Sequence, residues 1–90
     1  MKNFNNRVIA ITGAASGIGQ ALALAFTKAG GKLALSDVSD LSETVKKCQA
    51  QNSKVEILQH NVDVSSQQAV SQWAEDINNH YGSIHVIINN

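Results

Sequence analysis

The stretch that most constrains this chain is ITGAASGIGQ, residues 11–20, which packs three glycines, two alanines and a serine behind an apolar run. The run itself, RVIAIT at residues 7–12, is short and rich in β-branched side chains, which predicts a buried strand. Gly13 permits a sharp exit from that strand, and the apolar period from Ile18 predicts a helix directly afterwards. A strand that passes into a helix through residues with almost no side chain indicates that something large lies against the backbone.

Strand and helix patterns alternate along the whole sequence. Apolar runs predict four strands, at residues 7–12, 32–36, 55–59 and 84–89. Three helical periods separate them, so the predicted order is β-α-β-α-β-α-β. Right-handed crossovers then place the strands parallel with helices on both faces. The fold class is therefore α/β, and the expected layout is the first half of a Rossmann-type doubly wound parallel sheet in strand order 3-2-1-4. Its last strand would have a bare edge.

Each predicted helix has its own signals. The first has an apolar face and is ended by two glycines; these residues are Ile18, Leu22, Ala25, Phe26, Ala29, Gly30 and Gly31. Asp40 and Glu43 have the spacing of a capping box at the start of the second helix. Ser65 and Gln68 have the same spacing before the third, whose buried face is predicted at Val70, Trp73, Ala74 and Ile77.

The glycine turn has the chemistry of an anion site. Gly17 lets backbone N–H groups approach a pyrophosphate without a Cβ in the way, and Gly19 lets the helix lie close. The helix N-terminus directs its dipole and free N–H groups to the same place. Ser16 is expected to add a hydroxyl, and no Gly-Lys-Ser/Thr of a nucleotide-triphosphate loop follows. The alternative is a glycine-rich turn with no ligand.

Thr12-Gly13-x-x-x-Gly17-x-Gly19 resembles the Thr-Gly-x-x-x-Gly-x-Gly of the short-chain dehydrogenase/reductase family. Three further places agree: Asp37, Asp63-Val64 and Asn89-Asn90. The resemblance covers the whole chain but only the cofactor-binding half of a family member. It implies that residues 1–90 are the N-terminal portion of an NAD(P)-binding Rossmann domain, with no second domain.

The choice of nucleotide is predicted from Asp37, which ends KLALSD about 20 residues beyond the glycine turn. A carboxylate there accepts hydrogen bonds from both hydroxyls of an adenosine ribose and repels a 2′-phosphate. Ser16, Val38 and Ser39 stand where an Arg or Lys partner for that phosphate would be expected. The predicted cofactor is therefore NAD. The alternative is that Asp37 only caps a turn or the next helix.

The resemblance also implies roles for residues farther along. Asp63 would bond the adenine amine or nearby backbone, and Val64 would pack near the ring; the alternative is an ordinary Asp at a strand end. The backbone of Asn90 would lie beside the cofactor ribose, and Thr12 would be scaffold that bonds to the fourth strand. The predicted cofactor-binding set is Gly13, Ser16, Gly17, Ile18, Gly19, Asp37, Val38, Asp63, Val64 and Asn90.

The amino-acid composition argues against several classes of binding partner. Lys+Arg and Asp+Glu balance at seven each, which gives no electrostatic footprint for nucleic acid or an anionic membrane. One cysteine, Cys48, and no apolar leader favour the reducing cytoplasm. No metal site is expected, because the three histidines are scattered, and Trp73 and Cys48 are interpreted as core.

No catalytic residue is predicted within these residues. The family uses a Ser, a Tyr-x-x-x-Lys pair and a further Asn later in the chain, whereas Tyr81 is followed four residues later by His85. Family members often have Asp where this chain has His85. The resemblance implies an NAD-dependent oxidoreductase that transfers hydride to or from a small-molecule alcohol/carbonyl substrate, as a homo-oligomer when full-length. The alternative is a non-catalytic or truncated dinucleotide-binding module.

Overall fold

Seven elements follow the predicted alternation in the computed structural model, which describes residues 3–90. The strands are β1 (Val8–Ile11), β2 (Lys32–Ser36), β3 (Ile57–His60) and β4 (Val86–Ile88). The helices are α1 (Gly17–Lys28), α2 (Ser42–Gln51) and α3 (Gln67–Tyr81). Among the described residues, no helix combines the length and the apolar character needed to cross a membrane.

The four strands form one parallel sheet in the order β3-β2-β1-β4, which confirms the predicted topology. Ala10 of β1 lies beside Ala34 on one side and Ile87 on the other. All strands point the same way, so their carboxyl ends share one edge of the sheet. The glycine turn follows β1 at that edge.

The two faces of the sheet have separate cores. Ile9, Ile11, Leu33 and Leu35 pack with side chains of α1 and α2. Val8, Ala10 and Ala34 lie on the opposite face, where Trp73 and Ile77 of α3 cover them. Burial of each Ile or Leu side chain contributes about 1.5–3 kcal/mol, so the central pair β1–β2 is the most strongly held part of the fold. Trp73 is core, as predicted, at 4% exposure.

The predicted capping boxes are wrong in detail. Asp40 accepts from the amide of Ser42, not from Glu43, and α2 starts without a side-chain cap. Ser66, one residue after the predicted Ser65, caps α3 by accepting from the Ala69 amide. In both places an aspartate carboxylate accepts a hydrogen bond from the backbone amide of the serine two residues later. This local turn forms in place of the predicted capping box.

The outer strands are shifted or shorter than predicted. β3 spans 57–60 where 55–59 was expected, and β4 spans 86–88 where 84–89 was expected. Among residues 3–90, β4 pairs with β1 alone, and Ile87 is 63% exposed. The sheet therefore has the bare edge that the strand order predicts.

Candidate functional site

The turn between β1 and α1 depends on three glycines. Gly13 and Gly17 have φ of +64° and +58°, in the left-handed region that side chains disfavour. Gly19 is helical, but a Cβ on it would overlap the carbonyl oxygen of Gly13. The first turn of α1 therefore lies directly against the exit of β1, and only glycine fits there.

The outer side of this turn is open. A Cβ on Gly17 would meet nothing within 4 Å. Ser16, the residue before α1, makes no side-chain capping bond, and the first turn of the helix has no acidic side chain. The first turn of α1 thus brings no carboxylate of its own to the positive end of the helix dipole. This arrangement suits an anion.

Asp37 is tied to the same turn. Its Oδ2 accepts from the amide of Ala15 at 2.9 Å, and its Oδ1 accepts from the amide of Ser39 at 2.9 Å. The Asn61 side-chain amide donates to the Asp37 backbone carbonyl at 3.0 Å, which fixes the backbone as well. Each carboxylate oxygen has a second lone pair for a further donor. The structure brings Asp37 and the glycine turn together and shows that Asp37 also shapes a turn.

The end of β4 closes the other side of the turn. The Thr12 amide donates to the Ile88 carbonyl, and the Thr12 hydroxyl accepts from the Asn90 amide, both at 3.0 Å. Thr12 thus holds β4, as expected of scaffold. The Asn90 side chain donates to the Gly13 carbonyl at 3.2 Å, a contact that sequence reasoning did not predict.

Asp63 and Val64 follow β3, on the far side of β2 from the turn. The Asp63 carboxylate accepts from the Ser65 hydroxyl at 2.7 Å and amide at 2.9 Å, and these bonds hold its pKa below the usual value. Within residues 3–90 no hydrogen bond links Asp63 to the glycine turn. The structure thus shows it in a strand-end turn.

Uncovered apolar side chains lie along this edge of the sheet. Ile18 and Val38 are each 70% exposed, and Val64 is 49% exposed. Each lies two to seven residues after the carboxyl end of a strand: β1 for Ile18, β2 for Val38 and β3 for Val64. Exposed apolar groups gathered at one edge, next to an anion-binding turn, are typical of a ligand-binding surface.

Comparison with known proteins identifies the family. The family model described as short chain dehydrogenase matches residues 7–90. The chain belongs to the short-chain dehydrogenase family. It is 41% identical over 92 residues to SadH of Mycobacterium tuberculosis, which is named as an oxidoreductase. The match covers 100% of this chain and 33% of that protein. The chain thus spans about a third of this relative's length.

Solved structures agree with the family assignment. A short-chain dehydrogenase/reductase from Burkholderia phymatum in complex with NAD has a TM-score of 0.86 and 34% identity. That match covers 97% of this chain and 31% of the other. A short-chain dehydrogenase from Mycobacterium paratuberculosis bound to NAD has a TM-score of 0.84 and 26% identity, covering 94% and 36%.

Tyr81, the only tyrosine of this short-chain dehydrogenase chain, lies far from the glycine turn. Its hydroxyl donates to the Leu33 carbonyl at 2.9 Å, near the start of β2 and so at the opposite edge of the sheet. Burial, with a smaller effect from the charge of Glu56, raises the pKa of Tyr81 to about 12. The phenol is therefore a structural group, held protonated beside the α3 core.

Cys48 and His85 also have structural positions. Cys48 is fully buried, and burial raises the pKa of its thiol. His85 Nδ1 accepts from the Val8 amide at 2.8 Å, so the imidazole links β4 to β1 at the edge away from the turn. No group of three or more potential metal ligands comes together within residues 3–90.

Proposed function

We propose that this chain is the NAD-binding part of an oxidoreductase that transfers hydride between NAD(H) and an alcohol or carbonyl substrate. The observation that supports it most is the pairing of an open glycine turn with a carboxylate. Gly17 leaves the first turn of α1 uncovered, and Asp37 is hydrogen-bonded to Ala15 within that turn. A dinucleotide needs both an anion site and a ribose acceptor, at neighbouring positions.

The residues present fit a diphosphate. The open space at Gly17 and the absence of an acidic side chain in the first turn of α1 leave the helix N-terminus available to negative charge. Gly13 and Gly19 would let the backbone approach closely, and Ser16 would offer its exposed hydroxyl. When bound, a nicotinamide cofactor supplies the hydride acceptor or donor. The part of this chain is to bind and orient it.

Charge supports NAD over NADP. The Asp37 carboxylate would accept from the ribose hydroxyls and repel a 2′-phosphate. Ser16, Val38 and Ser39 bring no positive charge to the same place. Two of the similar structures are described as NAD complexes.

The adenine would lie along the exposed apolar edge. Val38 and Val64 would pack on the ring, with Asp63 toward its amine and Ile18 and the Asn90 backbone nearer the ribose. The exposure of Ile18, Val38 and Val64 supports this placement, because a flat aromatic ring would cover surface that is now open to water.

Calorimetric titration of the purified chain with NAD, NADP and adenosine tests the proposal. We expect NAD to bind at least tenfold more tightly than NADP, because the Asp37 carboxylate and the 2′-phosphate of NADP are both negatively charged. Asp40→Asn, which alters an exposed carboxylate outside the site, is the matched control and should leave that ratio unchanged. A preference for NADP would overturn the role of Asp37, and no binding of either would overturn the proposal.

In the family, a tyrosine provides the proton transfer that accompanies hydride transfer, whereas the only tyrosine of this sequence donates to the Leu33 carbonyl at the opposite edge. The same observation supports a second candidate, a non-catalytic dinucleotide-binding module. Sequencing of the downstream reading frame distinguishes the two. Ala-Gly directly after Asn90, then Tyr-x-x-x-Lys, supports the enzyme, which we propose to be cytoplasmic and homo-oligomeric; an immediate stop codon supports the module.

A further inference from the structure

The backbone of Ala14 and Ala15, at the centre of the glycine turn, has a partner for every polar group. On the amide side, Ala14 donates to the Ser36 carbonyl at 3.1 Å and Ala15 donates to the Asp37 carboxylate. The end of β2 therefore holds one side of the turn. The two carbonyl groups accept hydrogen bonds from other elements.

Two side chains from α1 and α2 hold those carbonyls. The Thr44 hydroxyl, on α2, donates to the Ala14 carbonyl at 2.7 Å. The Gln20 side-chain amide, on α1, donates to the Ala15 carbonyl at 3.2 Å and to the Thr44 hydroxyl at 2.9 Å. Thr44 is fully buried, so water does not compete for its bond to Ala14.

A charged side chain lies at the outer end of this network. The Lys47 ammonium donates to Gln20 Oε1 at 3.0 Å and lies 3.0 Å from a Glu43 carboxylate oxygen one helical turn earlier. A cation on Oε1 leaves Nε2 of Gln20 directed at Ala15 and Thr44. Lys47 thus donates to Gln20, Gln20 donates to Thr44 and Ala15, and Thr44 donates to Ala14.

We propose that Thr44 and Gln20 are positioning residues that hold the glycine turn ready for a diphosphate, so that α2 controls diphosphate affinity without contacting the ligand. The inference rests on the proposed function and deepens it. A turn fixed at Ala14 and Ala15 presents the amides that follow in a set geometry. Binding then loses less conformational freedom than it would with a mobile turn.

The test compares ADP, which carries the diphosphate, with adenosine, which shares the base and ribose but has no phosphate. Thr44→Val removes the hydroxyl and keeps the shape. We expect its Kd for ADP to rise about five- to tenfold, since the Ala14 carbonyl loses its partner and the turn relaxes. Its Kd for adenosine should rise clearly less, because adenosine has no phosphate and depends on the turn only through the bond between Ala15 and Asp37.

Matched variants separate positioning from stability. Thr44→Ser keeps the hydroxyl and should restore ADP affinity to within twofold of the unaltered chain. Thr27→Val removes another buried hydroxyl, which bonds the Ala23 carbonyl inside α1, and should leave both affinities unchanged. Gln20→Met gives a second route to the same loss if Thr44→Val folds poorly, as judged by circular dichroism.

Two results would overturn the inference. One is ADP affinity within twofold of the unaltered chain in both Thr44→Val and Gln20→Met. The other is an equal loss for ADP and adenosine, which would indicate general destabilisation. Failure of the unaltered chain to bind ADP, adenosine or NAD is a separate outcome that overturns the proposed function and the inference with it.

Discussion

Asp37 and Ala15, 22 positions apart in sequence, are joined by a hydrogen bond of 2.9 Å between a carboxylate oxygen and a backbone amide. The residue proposed to select the ribose therefore also braces the turn proposed to receive the phosphates. One side chain serves both parts of the site, so the two are coupled. Loss of this carboxylate should affect more than ribose recognition.

Substitution Asp37→Asn tests this coupling. Ala15 and Ser39 donate to different carboxylate oxygens, and in asparagine one of these is replaced by an NH2 group, which donates and cannot accept. We expect the free energy of unfolding to fall by about 1 kcal/mol and NAD affinity to fall at least tenfold. NADP affinity should fall less, because the like charge is gone. Thermal unfolding and calorimetry measure the two effects, and unchanged NAD affinity would refute the assignment of Asp37.

Gly19→Ala tests the close approach of α1 to β1. The new Cβ would overlap the Gly13 backbone carbonyl, which cannot move aside as a flexible side chain would. We expect a loss of about 1–3 kcal/mol in the free energy of unfolding, although alanine has the higher helix propensity. Urea denaturation measures it. A variant as stable as the unaltered chain would show that the two elements are farther apart than described.

Tyr81 predicts a dependence of stability on alkaline pH. Its pKa is raised to about 12 in the folded chain, whereas an unfolded tyrosine titrates near 10. The folded state binds the phenolic proton more tightly, so this contribution to stability is complete below about pH 10 and is lost as pH rises toward 12.

Absorbance at 295 nm gives a direct readout, since this chain has a single tyrosine. The phenolate should appear near pH 12 in the native chain and near 10 in urea. Tyr81→Phe should lose this pH dependence and, without the bond to Leu33, be about 1 kcal/mol less stable at neutral pH. Native titration near pH 10 would contradict the burial of the phenol.

Much of the fold was predictable because its signals are local. Strand and helix patterns alternate without interruption, which predicts a parallel sheet, and the observed strand order is the one expected of a dinucleotide-binding fold. Helix starts were less predictable, because Asp40 and Asp63 each form a turn with the serine two residues later. Such turns compete with capping boxes of nearly the same spacing.

The site was predictable only where its signals are local in sequence. The glycines and Asp37 have spacings that carry meaning within one βαβ unit. The contacts of Gln20 and Thr44 with the turn depend on how closely α2 packs on α1, which no spacing encodes. The Asn90 side chain reaches Gly13 because β4 pairs with β1 across 77 positions of sequence.

In the proposed complex the phosphates of a dinucleotide rest on the backbone at Gly17, and the NAD affinity of Gly17→Ala tests this placement most directly. Gly82→Ala is the matched control, because Gly82 also has positive φ and open space around it but ends α3 at the other edge of the sheet. Each variant should lower stability by about 1 kcal/mol. We predict at least tenfold weaker NAD binding for Gly17→Ala and unchanged binding for Gly82→Ala; unchanged NAD binding by Gly17→Ala would contradict the account.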